Sequence, residues 1–153
     1  MRHGQHGQHA PYAALLARDI KSLSEQQISD LRAAKGMGLA LPAELNGYPG
    51  PSHSLELADQ LKLSAEQRSS TQTLFERMQQ EAQALGEDVI VAERELDRLF
   101  KDKRVSQESL AAATAKAAAA QGRLRESHLR YHLAMMQVLS PEQIAEYNRL
   151  RGY

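Results

Sequence analysis

The phrase Leu-Ser-x-x-Gln occurs three times in this chain, and two of its copies bracket the longest periodic stretch. Leu63-Ser64-Ala65-Glu66-Gln67 opens that stretch, Leu139-Ser140-Pro141-Glu142-Gln143 closes it, and Leu23-Ser24-Glu25-Gln26-Gln27 stands earlier. Each copy puts serine where a helix N-cap is needed and glutamine three residues on. That is the spacing of a capping box, in which the hydroxyl accepts from the N3 amide and the glutamine reaches back to the cap. Pro141 suits the first helical position, where a missing N–H costs nothing. Leu139 with Ile144, and Leu23 with Ile28, have the spacing of a hydrophobic staple. A chain with these starts is built for helices.

Between the two later copies lie two long amphipathic segments. Over 65–101, Leu74, Met78, Leu85, Val89, Ala92, Leu96 and Leu99 recur at steps of three, four or seven. Over 107–138, Leu110, Ala113, Ala117, Ala120, Leu124, Tyr131 and Val138 form a matching stripe. Such a period predicts helices with one apolar face each. The break at Lys101-Asp102-Lys103-Arg104-Val105-Ser106 is short, and Ser106 can cap the second helix with Glu108 in its first turn. Two long helices on a short link make an antiparallel hairpin. The alanines at 111–113, 115 and 117–120 continue the stripe and predict close helix packing. Gly86 and Gly122 interrupt the two helices at comparable distances from the turn, which a backbone crossing or a bend would explain.

The expected architecture is all-α: a single domain over 12–153, with shorter N-terminal helices around the hairpin. The 153 residues leave room for one substantial core, and with aromatics at 5% and no tryptophan that core is built from leucine and alanine. A helix is expected at about 12–21, another from Ser24 to about Lys35-Gly36, a short one at Leu39–Leu45, and one capped by Ser52. Asn46-Gly47-Tyr48-Pro49-Gly50-Pro51 reads as a tight connector returning the chain across the hairpin, with a binding loop as the alternative.

Nineteen basic and nineteen acidic residues balance, so there is no electrostatic footprint for nucleic acid. No cysteine is present, which excludes disulfides and thiolate metal sites. No apolar run is long enough to insert in a membrane. Met1-Arg2-His3-Gly4 leads straight into polar sequence rather than a secretory h-region. There is no Gly-x-Ser-x-Gly, no phosphate-cradling glycine loop and no His-Glu-x-x-His, so the expectation is a protein without catalytic residues. Glu93, Glu95 and Asp97 with Arg94 and Arg98 read as a solvated face with intrahelical ion pairs.

Histidine carries what chemistry remains. His3, His6 and His9 recur every third residue in a glycine-rich stretch, and residues 1–11 read as a flexible tail able to wrap a metal ion. His128 and His132 stand one helical turn apart, and Met136 continues the line by another turn. Imidazoles so spaced suit zinc, nickel or copper, and a thioether adds softness toward copper(I). The competing reading makes Met135 and Met136 core or interface filler and the two histidines partly exposed polar residues. No cofactor is required by either reading.

The paired phrases and the hairpin between them resemble the Spy/CpxP superfamily of bacterial periplasmic stress proteins, whose relatives include ZraP-like and CnrX-type metal-handling proteins. The resemblance is carried by residues 55 to 153, and more distantly by Gly36-Met37-Gly38-Leu39 and Glu44-Leu45-Asn46-Gly47-Tyr48-Pro49-Gly50-Pro51. It implies a periplasmic chain whose export signal has been removed. It also implies a homodimer that holds unfolded or misfolded proteins without ATP, as Spy-type members do. The alternative it carries is a heavy-metal sensor or metal-binding protein working with a membrane-bound signalling partner. His132-x-x-x-Met136 is similar to part of the CnrX-type pattern, whereas the N-terminal His-x-x-x-His helical pair of those sensors has no counterpart here.

Overall fold

Two long helices carry the molecule. The computed structural model describes residues 12–153; the tail with His3, His6 and His9 lies outside the described residues. A single helical turn at 12–15 is followed by α1 (Glu25–Arg32), α2 (Leu41–Glu44), α3 (Pro51–Glu56), α4 (Ala65–Lys101), α5 (Gln107–Met135) and α6 (Pro141–Arg151). The described residues contain no strand. The fold is all-α, and α4 and α5 pack along their length as the antiparallel hairpin.

The capping phrases form as the sequence expects. Ser24, Ser64 and Ser140 accept from the N3 amides of Gln27, Gln67 and Gln143, and each glutamine accepts from its own cap N–H. Ser106 caps α5 the same way, with Ser109 as the returning side chain. The two later phrases also do something the capping argument does not require. Gln67 and Gln143 pair amide to amide, at 2.7 and 3.0 Å. Their Nε2 groups reach the Val138 and Leu61 carbonyls as well. The caps of α4 and α6 are therefore bolted together. Only an amide supplies both the acceptor for the cap and the donors for the partner, which glutamate cannot do.

Two apolar clusters lie along the hairpin. Toward the turn, Ile20, Leu31, Ala82, Val89, Ile90, Ala92, Ala117, Ala120 and Leu124 form one. At the open end Ala58, Leu61, Leu63, Met135, Leu139 and Tyr147 form the other. Gly86 is where α1 crosses α4: a Cβ there would meet the Leu31 carbonyl oxygen at 2.6 Å, so only glycine admits the approach. Gly122 is exposed and faces open space, with no crossing at its level.

Several boundaries differ from expectation. The helix at 12–21 stops after residue 15, because the chain turns to bury Ile20 completely and to donate Lys21 N to Asp97 Oδ1. Pro51 is the first residue of α3 and Gly50 its cap, rather than Ser52. The last turn before Ser140 tightens to i→i+3 bonds, so α5 ends at Met135 rather than 138. The charged run on α4 is solvated only in part, with Glu95 and Arg98 exposed, and its ion pairs run to other segments rather than within the helix. Glu93 is buried and accepts from Ser22 and Gln121, and Glu95 pairs with Lys116 across the hairpin.

Candidate functional site

Between the two apolar clusters the stripe of α5 changes character. From Leu124 onward its buried positions are Ser127, His128, Tyr131 and His132 before Met135 resumes the apolar pattern. Against this stretch lies the loop from α2 to α3. Pro49, Gly50 and Pro51 are buried, and Gly50 lies so close to the His132 ring that a Cβ would stand 2.7 Å from Cε1. The Tyr48 carbonyl is 2.7 Å from His132 Nδ1. A carbonyl only accepts, so Nδ1 carries the proton and Nε2 of the neutral ring keeps its lone pair. The segment is thus both a connector and one wall of a site.

Glu44, at the end of α2, brings a carboxylate to the same place. It is 6% exposed, and its Oε1 accepts from the Tyr147 hydroxyl at 2.5 Å and the Tyr153 hydroxyl at 3.0 Å, with Arg151 Nε at 3.5 Å. Burial, together with the carboxylate beside it, pushes the Tyr147 phenol far above its ordinary value, so it donates and does not ionise. Among the described residues Oε2 has no hydrogen-bond partner. His132 Nδ1 approaches it to 3.5 Å, but that proton already belongs to Tyr48. Gly152 closes α6 in the left-handed conformation and folds Tyr153 back onto this carboxylate.

His128 is 3% exposed, and its Nε2 likewise lacks a partner. Burial first, and the neighbouring His132 second, hold its pKa below the usual imidazole range, which favours the neutral ring. His128, His132 and Glu44 line one cavity of about 460 Å³, with His53, Lys35, Arg151, Phe75 and Met78 among its other walls. Met136 is half-buried at the C-cap of α5 and does not line the cavity. Among the described residues no three His, Cys, Asp or Glu side chains are grouped as a complete metal-ligand set.

His128 and His132, four residues apart, both line the cavity, and the competing reading that made them partly exposed polar residues is corrected: both are buried. Sequence reasoning assigned no site role to Glu44, His53 or Tyr147. The one signal that pointed near them was the Pro/Gly-rich 46–51 segment.

What these features define is a helical-hairpin protein with a buried imidazole–carboxylate cavity and no helix long and apolar enough to cross a membrane among the described residues. Residues 36–146 match the family model described as heavy-metal resistance, and the chain belongs to that family, which lies within the Spy/CpxP-like helical superfamily. Comparison with curated proteins and with solved structures finds no match.

Proposed function

We propose that this protein binds a divalent heavy-metal ion, of the zinc, nickel or copper type, as a periplasmic sensor or buffer in metal resistance. The observation that carries the reading is the pair of buried imidazoles His128 and His132 beside Glu44, in a chain of a heavy-metal resistance family. The residues offer the ion two imidazoles and a carboxylate around one cavity, short of a grouped three-ligand set among the described residues. Among those residues His128 Nε2 and Glu44 Oε2 have no hydrogen-bond partner, a costly state for buried polar atoms unless a ligand completes it. The bond from His132 Nδ1 to Tyr48 holds that ring as a ligating imidazole is usually held, by its other nitrogen. When bound, the ion supplies charge that ties α2 and α5 together. The tail histidines His3, His6 and His9 are a second donor set, suited to capture, and Met136 would add a soft ligand only with a shift of the helix end. The family match supports this reading over an ATP-independent chaperone for unfolded proteins.

The test is calorimetry with zinc, nickel and copper on the full chain, beside thermal melts. An ion bound to the folded state alone adds about 2.7 kcal/mol at a hundredfold excess over its dissociation constant. His132→Ala should remove that gain, while His3→Ala, His6→Ala and His9→Ala together should leave it. Metal that fails to raise the melting temperature, or a gain that survives His132→Ala, would sink the assignment to this cavity.

A further inference from the structure

We propose that the hairpin turn docks on an anionic lipid surface, with Phe100 as an apolar anchor among four cations. This surface is separate from the cavity and goes beyond the metal reading. Over 98–104 the chain carries Arg98, Lys101, Lys103 and Arg104 against one carboxylate, Asp102, in a sequence whose charges otherwise balance. All five are exposed, and among the described residues none of the four cations enters an ion pair. Elsewhere on the hairpin Arg94, Lys116 and Arg130 each pair with a carboxylate. In the middle of the cluster Phe100 is 52% exposed, whereas Leu96 and Leu99 beside it are half-buried.

Helix chemistry accounts for part of this cluster. Cations in the last turn of α4 complement its dipole, which explains Arg98 and Lys101. It does not explain Lys103 and Arg104, which follow the Asp102 cap, or the exposed ring of Phe100. Lys103 stands at a φ of 57°, a left-handed position that glycine would hold without strain. The charge is kept where the backbone would favour its loss. The shape of the region then selects the partner. The turn is the end of a 37-residue helix, about 55 Å long at 1.5 Å per residue, and presents a point rather than a groove. An ordinary protein interface takes about 20–30 residues from each side, far more than this turn offers. A bilayer needs no matching shape. Headgroup phosphates meet the cations one by one, while the aromatic ring enters the boundary beneath them. No helix among the described residues is long and apolar enough to cross a membrane, so the contact is peripheral. His128 lies about 30 Å from the turn along α5, so docking by the tip leaves the cavity uncovered.

The experiment is co-sedimentation of the full chain with vesicles of phosphatidylcholine alone and of phosphatidylcholine with an equal share of phosphatidylglycerol. Retention is expected on the anionic vesicles only, and its loss in about 1 M salt, where the screening length shortens to about 3 Å. Lys101→Gln, Lys103→Gln and Arg104→Gln together should weaken partition about a hundredfold, at about fivefold for each cation near the surface. Phe100→Ser should weaken it about tenfold through the lost apolar anchor. These side chains are exposed, so helicity by circular dichroism should stay as in the native chain. Arg77→Gln, Arg123→Gln and Arg125→Gln together change the net charge equally at exposed positions away from the turn, and should leave most of the retention. The proposal is overturned if the native chain is not retained on anionic vesicles, if both triple variants lose binding equally, or if Phe100→Ser loses none. Capture of soluble polyglutamate through the same three cations, with no retention on vesicles, would overturn it in favour of an acidic protein partner.

Discussion

The turn-side core and the layer around His128 are built on the same two helices, yet follow opposite rules. In the core, Ile90 and Ala82 are fully buried, and the alanine stripe of α5 lets the two backbones approach. A few residues along, Ser127, His128 and His132 are buried as deeply among polar neighbours, and two polar atoms lack partners. The first region is arranged to stabilise the fold, whereas the second leaves buried polar atoms without partners among the described residues, which costs stability. Stability and binding should therefore respond to substitution in separate places.

The largest expected effect is in the core. Ile90→Ala removes a fully buried side chain and should lower the unfolding free energy by about 2–5 kcal/mol, the usual range for such a cavity. Chemical denaturation measures it, and metal affinity of the folded fraction should not move. A large loss of affinity would mean the two regions are not separable.

Next is the α1 crossing. Gly86→Ala puts a methyl 2.6 Å from a carbonyl oxygen that belongs to backbone and cannot rotate away. The helix propensity gained from alanine, about 1 kcal/mol, is outweighed by displacement of α1, leaving a net loss of about 1–3 kcal/mol. Gly122→Ala is the control. With open space around it, the same change should stabilise by about 0.8–1 kcal/mol. Equal effects at the two glycines would refute the crossing.

These two glycines also show how far the sequence could be read. Both stood out as helix interruptions, but which one meets a neighbouring backbone depends on where α1 docks, and no local pattern encodes that. The hairpin was legible because its period runs for many turns and its ends carry capping phrases. The short N-terminal elements were less so, since Ile20 and Glu93 answer to tertiary partners rather than to local propensity. Two helix closures illustrate the same point, with Ala34 and Lys103 at positive φ where glycine would have been the readable signal. In the site, the step of four residues between His128 and His132 was visible. Glu44 and Tyr147 are 103 residues apart in sequence, and their meeting is a fact of the fold alone.

Tyr147→Phe moves the test into the polar layer. It takes away the shortest hydrogen bond to Glu44 and the acceptor for Gly50 N–H, leaving a buried carboxylate with one donor fewer. The expected loss is about 1–3 kcal/mol. Its distinguishing readout is metal binding, which should change along with stability, because Glu44 is released from the partner that fixes it. Loss of stability with unaltered affinity would make Glu44 structural.

The smallest effect should have the opposite sign. His128→Leu removes a buried nitrogen that has no partner and puts in an apolar side chain, so at neutral pH stability should rise by up to about 1 kcal/mol while metal binding falls. The pH dependence separates this from simple repacking. In the folded protein, burial and His132 hold the His128 pKa below the ordinary imidazole value of 6.5. Above that value neither folded nor unfolded chain protonates the ring, and its contribution is flat. As pH falls below it, the unfolded chain takes up a proton that the folded chain refuses, so the unfolded state is favoured and stability declines. The decline stops only below the lowered folded value, where both states are protonated. Melting temperatures between pH 7.5 and 5 should therefore drop more steeply for the native chain than for the His128→Leu chain, with the other histidines common to both. Parallel slopes would show that His128 takes up its proton as easily folded as unfolded, and that this layer is not held in the neutral, metal-ready state described for it.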